Sequence, residues 1–354
     1  MSRFFSSKFS ALTPYTPGEQ PRDMQYIKLN TNESPFPPSP KARRYAAEAA
    51  AGLQLYSDPE CKRLNARAAA LLGLSPDQLL FTNGSDEILN FAFMAFCDAE
   101  HPAAFADITY GFYRVFAQLN GVPFVEIPLR ADYSLDPEDY IGLNKTIFIA
   151  NPNAPTGKIL SPDQIERIIA GNRSNVVVVD EAYVDFGGES CIPLLRRYDN
   201  LLVTQTFSKS RSLAGSRLGF GVGNPDLIRD LNTIKYSTNP YNVNSMTMAA
   251  GLGALEDADY TNQNCRTIME NRAWTTRELR DLGFEVLDSA TNFIFARHPR
   301  LNGQETYLNL KKRGILVRHF EKPRLEAFNR ITIGTMDQMQ ALVSALAQEL
   351  EVHA

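Results

Sequence analysis

The chain has 354 residues, 44% of them hydrophobic and 21% charged, with 36 basic against 40 acidic side chains and a formal charge of -4. That balance excludes a disordered chain, a fibrous repeat and a globally basic nucleic-acid binder. A chain this long divides into two domains, or a large one and a smaller companion, and buries enough apolar surface to need no disulfide or metal staple.

Taken in order, residues 1–38 are irregular: Pro14, Pro17, Pro21, Pro35, Pro37 and Pro38 interrupt any helix. An extended arm packing on the small domain or on a partner is expected there, with residues 26–29 its one strand. The N-terminal residues hold Arg3 and Lys8 but no apolar leader, and no apolar run is long enough to cross a bilayer. A cytoplasmic chain with no membrane contact is therefore expected. Helices are predicted over 41–52 and 60–73, where apolar side chains recur at helical spacing.

Alternation follows. Strands are predicted at 78–82, 103–105, 123–128, 146–150, 176–179, 201–204 and 218–222, and helices at 85–96, 110–120 and 161–170. Short apolar runs between helices predict an α/β fold with a mostly parallel sheet covered on both faces. The stretch 225–282 reads as helical, and strands return at 284–287, 292–296, 315–317 and 331–333. The division expected is an arm over 1–38, a large domain over 39–240 and a smaller α+β domain over 241–354. Cys61, Cys97, Cys191 and Cys265 are widely spaced, as are the four histidines, so neither a metal site nor a disulfide framework is expected.

Chemistry concentrates at the strand ends. Asp180 closes the run Val176–Val179 and is either a cap for the next turn or a buried carboxylate that needs a cation, with Tyr183 three residues on. Lys209 lies among Thr206, Ser208, Ser210 and Ser212, with Arg217 beyond. This is either a solvated basic loop or an amine able to form a Schiff base beside phosphate donors. Asn83-Gly84-Ser85-Asp86-Glu87 joins a strand to a helix start, where free N–H groups favour an anion. Tyr110 offers an aromatic face, and Arg318 and Arg330 flank predicted strands. An amine, a carboxylate, an aromatic plate and a phosphate cradle are together what pyridoxal phosphate needs.

On these residues the chain resembles the fold-type I pyridoxal-phosphate aminotransferases, and most closely the histidinol-phosphate aminotransferase family. The likeness runs through Leu12-Thr13-Pro14-Tyr15, Leu29-Asn30-Thr31-Asn32-Glu33-Ser34-Pro35, Tyr56-Ser57-Asp58-Pro59 and Asn83 to Glu87. It continues through Asn153-Ala154-Pro155-Thr156-Gly157, Asp180-Glu181-Ala182-Tyr183, Ser208-Lys209, Arg217 and Arg330-Ile331-Thr332-Ile333-Gly334-Thr335.

The resemblance implies that Lys209 carries the cofactor as a Schiff base and then moves the substrate proton. It implies Asp180 on the ring nitrogen, Tyr183 on the ring hydroxyl and Tyr110 stacked on the ring. Gly84, Ser85, Asp86, Thr206, Ser208 and Arg217 would hold the phosphate. Tyr56 would reach the phosphate of a neighbouring subunit, which implies a homodimer. Arg330 would anchor the substrate anion with Asn32, Tyr15 and Arg318. The small molecules implied are histidinol phosphate and glutamate or 2-oxoglutarate, in histidine biosynthesis. An aromatic amino-acid aminotransferase or a threonine-phosphate decarboxylase would share the scaffold. One departure stands out: the family often has Asn where this chain has Ala154. Either Asn153 supplies the contact to the ring hydroxyl or the contact is lost.

Overall fold

The computed structural model describes residues 2–10 and 12–352. In chain order the elements are β1 (Ile27–Lys28), α1 (Pro40–Ala49), α2 (Lys62–Leu72), β2 (Leu79–Thr82), α3 (Ser85–Phe96), β3 (Ala103–Ala106), α4 (Phe112–Asn120), β4 (Phe124–Ile127), β5 (Thr146–Ala150), α5 (Pro162–Ala170), β6 (Val177–Asp180), β7 (Leu201–Thr206) and β8 (Gly219–Gly223). They continue with α6 (Pro225–Thr238), α7 (Ser245–Glu256), α8 (Ala258–Asp281), β9 (Glu285–Val286), β10 (Phe293–Arg297), α9 (Gly303–Lys312), β11 (Ile315–Leu316), β12 (Arg318–His319), β13 (Asn329–Thr332) and α10 (Met336–Val352). Among the described residues no helix is long and apolar enough to cross a membrane.

Seven strands form one sheet in the order β2-β8-β7-β6-β5-β3-β4. β4, β3, β5, β6 and β7 run parallel, and β8 is antiparallel to both β7 and β2. The central strands are buried along their whole length, as expected for β-branched runs covered by helices on both faces. One face packs Leu64, Ile165, Val179 and Phe220 together. The other packs Ile88, Phe93, Tyr113 and Phe148. Local signals set the covering helices: α5 starts at Ser161, whose hydroxyl accepts from Gln164 N while the Gln164 side chain returns to the Ser161 N–H.

A second, antiparallel sheet has the order β12-β13-β10-β9. Its core holds Phe293, Ile294, Ile331, Leu342 and Leu346. β1 of the arm pairs in parallel with β11, Ile27 opposite Ile315, and Leu29 is buried in this same core.

The sequence expectation divides the chain at 240, just ahead of α7. Val243, Ala250, Leu252, Ala254 and Leu255 lie in the core of the seven-stranded sheet, so α7 belongs to the first body. Small residues explain the docking. A Cβ on Gly253 would sit 2.6 Å from Ala42 N, and one on Gly251 would sit 2.3 Å from the Leu218 side chain. Gly253 lets α7 press against α1, and Gly251 lets it press against Leu218, more closely than a residue with a side chain permits.

Candidate functional site

A cavity of about 120 Å3 opens at the carboxyl ends of the parallel strands, where ligands of such sheets bind. Ala150, Asp180 and Thr206 come from the ends of β5, β6 and β7. Ser85 and Asp86 come from the start of α3, Tyr110 from just before α4, and Tyr183, Ser208, Lys209 and Arg217 from the loops after β6 and β7.

Asp180 is buried, with each carboxylate oxygen holding one donor: Tyr113 Oη donates to Oδ2 at 3.0 Å and Ala182 N to Oδ1 at 3.1 Å. Burial pushes its carboxyl up to about 6, and those two hydrogen bonds only partly oppose the shift. Lys209 Nζ lies 3.5 Å from Thr31 O and 5.6 Å from the centre of the Tyr183 ring. Tyr183 Oη accepts from Asn32 Nδ2 at 2.9 Å, which leaves its own O–H free to donate.

Glu181, next in sequence, is also buried. It accepts from Ser190 Oγ (2.7 Å), Gln205 Nε2 (2.9 Å) and Cys191 N (2.6 Å), and burial pushes it up to about 7. Asp180 and Glu181 thus bind their protons more tightly in the folded chain than in the unfolded one. As pH rises the unfolded chain ionises first, so cofactor-free protein is expected to lose stability until pH passes the folded values of about 6 and 7. Each shift is worth about 3 kcal/mol. Urea denaturation of the cofactor-free protein between about pH 4 and about pH 8 measures this. Asp180→Asn should flatten the acid part of the profile and Glu181→Gln the neutral part; unchanged slopes in both would reject the assignment.

At the far end of the cavity the chain builds an anion cradle. Gly84 has φ 84°, and α3 starts there without a side-chain cap, which leaves the positive end of the helix dipole for a ligand. A Cβ on Gly84 would stand 2.6 Å from Arg217 Nη2, and one on Gly219 would stand 2.3 Å from Ser85 N. Glycine at both places keeps the cradle open. Arg217 Nη2 donates to Asp86 Oδ2 at 3.0 Å and Nη1 to Ser208 Oγ at 3.4 Å. Thr206 Oγ1 donates to Ser208 Oγ at 3.0 Å. The Tyr110 hydroxyl donates to Asp86 Oδ1 at 2.6 Å, which fixes the tilt of its ring.

Arg330 lies on β13, its guanidinium between the rings of Phe293 and Phe320 at 5.3 and 5.6 Å. Nη2 donates to Asn30 O at 3.0 Å, while Nε is buried with no hydrogen-bond partner. Its charge acts on Tyr183, Tyr15 and Tyr110. Tyr15 stacks on Phe112 at 4.3 Å; burial raises its phenol and the charges of Arg330 and Arg318 pull it back. The Arg318 side chain is tied to the arm, donating to Thr16 O and Pro17 O. Asn32 is 1% exposed with φ 55°. Its N–H donates to Thr332 Oγ1 and its Oδ1 accepts from that same hydroxyl, so the arm, β13 and Tyr183 meet in one residue.

Of the expected residues, Gly84, Tyr15, Asn32, Arg318 and Arg330 do not themselves line the cavity, and Asn153 and Tyr56 are turned to other partners. Asn153 does not line the cavity: its Oδ1 accepts from Thr109 Oγ1 and its Nδ2 serves Ile108 O and Thr156 Oγ1. The methyl of Ala154 faces the cavity instead. Tyr56 is 84% exposed, outside the cavity, and stacks on Tyr241 at 4.7 Å. Tyr113 was not foreseen. Its only sequence signal is its place one helical turn after Tyr110.

The donor set suits a flat, phosphorylated ring bearing an aldehyde: an amine, a buried acid, a free phenol, an aromatic plate, and a cradle that a Cβ would fill. The family model for class I and II aminotransferases matches residues 24–346. Histidinol-phosphate aminotransferase from Aromatoleum aromaticum is 48% identical over 98% of this chain and 99% of its own. Histidinol-phosphate aminotransferase 2 from Dechloromonas aromatica is 49% identical over 98% and 99%. The crystal structure of the Sinorhizobium meliloti histidinol-phosphate aminotransferase in complex with pyridoxal-5'-phosphate shares the fold, with a TM-score of 0.85 at 24% identity, over 93% of this chain and 92% of that one. The chain belongs to the class I and II aminotransferases and, within them, to the histidinol-phosphate aminotransferase family.

Proposed function

We propose that this chain is a cytoplasmic, homodimeric, pyridoxal 5'-phosphate-dependent aminotransferase. It interconverts histidinol phosphate and 2-oxoglutarate with imidazole acetol phosphate and L-glutamate in histidine biosynthesis. The observation that carries the substrate assignment is Arg330, a half-buried guanidinium whose Nε has no hydrogen-bond partner and whose charge acts on Tyr183 and Tyr110 of the cavity wall. Histidinol phosphate and glutamate each carry an anion distal to the amine, so one fork-shaped cation serves both in turn.

The residues divide the work. Lys209 would hold the cofactor by its aldehyde carbon and, once the substrate's amine has displaced it there, its freed Nζ would take the proton from the substrate Cα. Asp180 would face the ring nitrogen, Tyr183 would donate to the ring oxygen and Tyr110 would cover one face of the ring. The N–H groups at Ser85 and Asp86, with Thr206, Ser208 and Arg217, hold the phosphate, and the backbone of Gly84 leaves room for it. Bound pyridoxal phosphate supplies the electron sink that lets the Cα proton leave. Arg330 grips the distal anion, Arg318 holds the arm across the mouth by its carbonyls, and Tyr15 and Asn32 close the site from the arm side. Tyr56 reaches the phosphate of the other subunit. Support for that is the exposed apolar surface of Leu53, Leu55 and Tyr56, with the exposed Tyr241 stacked on Tyr56. With Ala154 in the cavity wall, Tyr183 is the donor assigned to the ring oxygen.

Purified protein should be yellow and dimeric by light scattering. Oxoglutarate-dependent transamination of histidinol phosphate should exceed that of phenylalanine by at least about 30-fold in kcat/KM, the factor that a lost phosphate grip of about 2 kcal/mol represents. Equal turnover of phenylalanine, or carbon dioxide released from threonine phosphate, would overturn the substrate assignment.

A further inference from the structure

Tyr113 sits outside the cavity, yet it is the side chain that touches Asp180. It is 0% exposed, in the first turn of α4. Its ring is packed by Phe105 and Phe148, each with centroids 5.8 Å away, and it meets Tyr110 edge-on at 5.7 Å and 87°. This cage leaves the ring one orientation. Its hydroxyl is then aimed at Asp180 Oδ2, 3.0 Å away. Burial, followed by the charge of Asp180, raises the phenol well above its ordinary value, so it stays protonated and acts as a donor. Ala182 N–H holds the second carboxylate oxygen. The plane of the carboxyl is thus fixed from two sides, by a side chain outside the cavity and by the backbone of Ala182 on its wall, and its remaining lone pairs serve whatever lies inside.

We propose that Tyr113 is a positioning residue for the reaction: by donating to Asp180 Oδ2 it keeps that carboxyl an anion, turned to the cavity, and so keeps the proton on the cofactor's ring nitrogen. This rests on the assignment of Asp180 to that nitrogen. The physical reason is competition for one proton. A carboxylate in a buried site is a strong base, and it takes the proton from a pyridinium unless hydrogen bonds stabilise its negative form. Tyr113 supplies one of the two bonds available, and no group within the cavity is needed for it. The same ring supports the edge of Tyr110, so orientation of the carboxyl and tilt of the covering plate are set by one buried side chain.

The test uses holoenzyme reconstituted with pyridoxal phosphate carrying 15N in its ring, because the 15N resonance separates a protonated from an unprotonated ring nitrogen. In the unmodified protein the resonance should be that of the protonated form. Tyr113→Phe, which keeps the ring and removes only the hydroxyl, should move it toward the unprotonated form. It should also raise the cofactor dissociation constant at least about tenfold and lower kcat with the KM for histidinol phosphate unchanged. Installing p-aminophenylalanine at position 113, a weaker donor of similar shape, should give an intermediate resonance, and it provides a second reading should the phenylalanine variant fold poorly. Phe148→Leu disturbs the same packing without touching the hydroxyl and should leave the resonance in place. A Tyr113→Phe enzyme that keeps the protonated resonance, while Asp180→Asn loses it, would overturn the role of Tyr113 alone. A resonance indifferent to Asp180→Asn would overturn the assignment of Asp180 and the proposal with it.

Discussion

Lys209→Ala is expected to lower kcat by at least about 10^4-fold, the upper end of what a positioned acid-base group contributes, because the same amine is also the covalent attachment point. The site contains no substitute. Lys209 Nζ is placed between Thr31 O and the face of Tyr183, and the other cation on the cavity wall, Arg217, is engaged by Asp86 and Ser208. An arginine also stays protonated, so it cannot serve as the nucleophile. The phosphate cradle does not involve Lys209, so the variant should still take up cofactor. Borohydride treatment followed by peptide mass analysis distinguishes the cases: the peptide containing residue 209 should carry the cofactor in the parent enzyme and none in the variant. A variant with near-parental turnover would sink the assignment.

Arg330→Ala is expected to lower kcat/KM for histidinol phosphate and for glutamate together, each by about 30-fold to 10^3-fold, corresponding to about 2–4 kcal/mol for truncating one member of a buried ion pair. Two observations place the effect high. The guanidinium lies between Phe293 and Phe320 with Nε unpartnered, and burial works against its charge. An incoming anion therefore meets a cation already partly stripped of water and held between two rings, so less ordering is needed on binding. Arg330→Lys should recover only a small part, since an ammonium lacks the fork and does not stack between two rings in the same way. Steady-state kinetics of both half-reactions decides the matter. Loss confined to one substrate would show that the two anions use different grips.

The elements and the residues at their ends were legible because their signals are local. Four β-branched residues before Asp180, and Ser161-Pro162 before α5, act through the chain within a few residues, so β6 and α5 fall where the pattern puts them. The same locality placed Asp180, Thr206, Lys209 and Ser85 on one rim, since parallel strands deliver their carboxyl ends to the same side. The side on which α7 packs was not legible, for a related reason. α7 is helical by its local pattern, but which body it joins depends on whether Gly251 and Gly253 find a close-fitting surface, and that surface is α1 and Leu218, far away in sequence.

By itself, then, the sequence determined the α/β alternation, the strand-end chemistry and the family, all of which are written in spacing and in short motifs. Only the tertiary structure decided which polar atom meets which. It turned Asn153 toward Thr109 and left Ala154 on the wall. It brought Asn32 to Tyr183 and to Thr332, 300 residues on. It aimed Tyr113 at Asp180 and left Arg330 Nε without a partner. Those contacts join segments remote in sequence, and each exists because buried hydrogen-bonding groups must be satisfied by whatever the packed core places beside them.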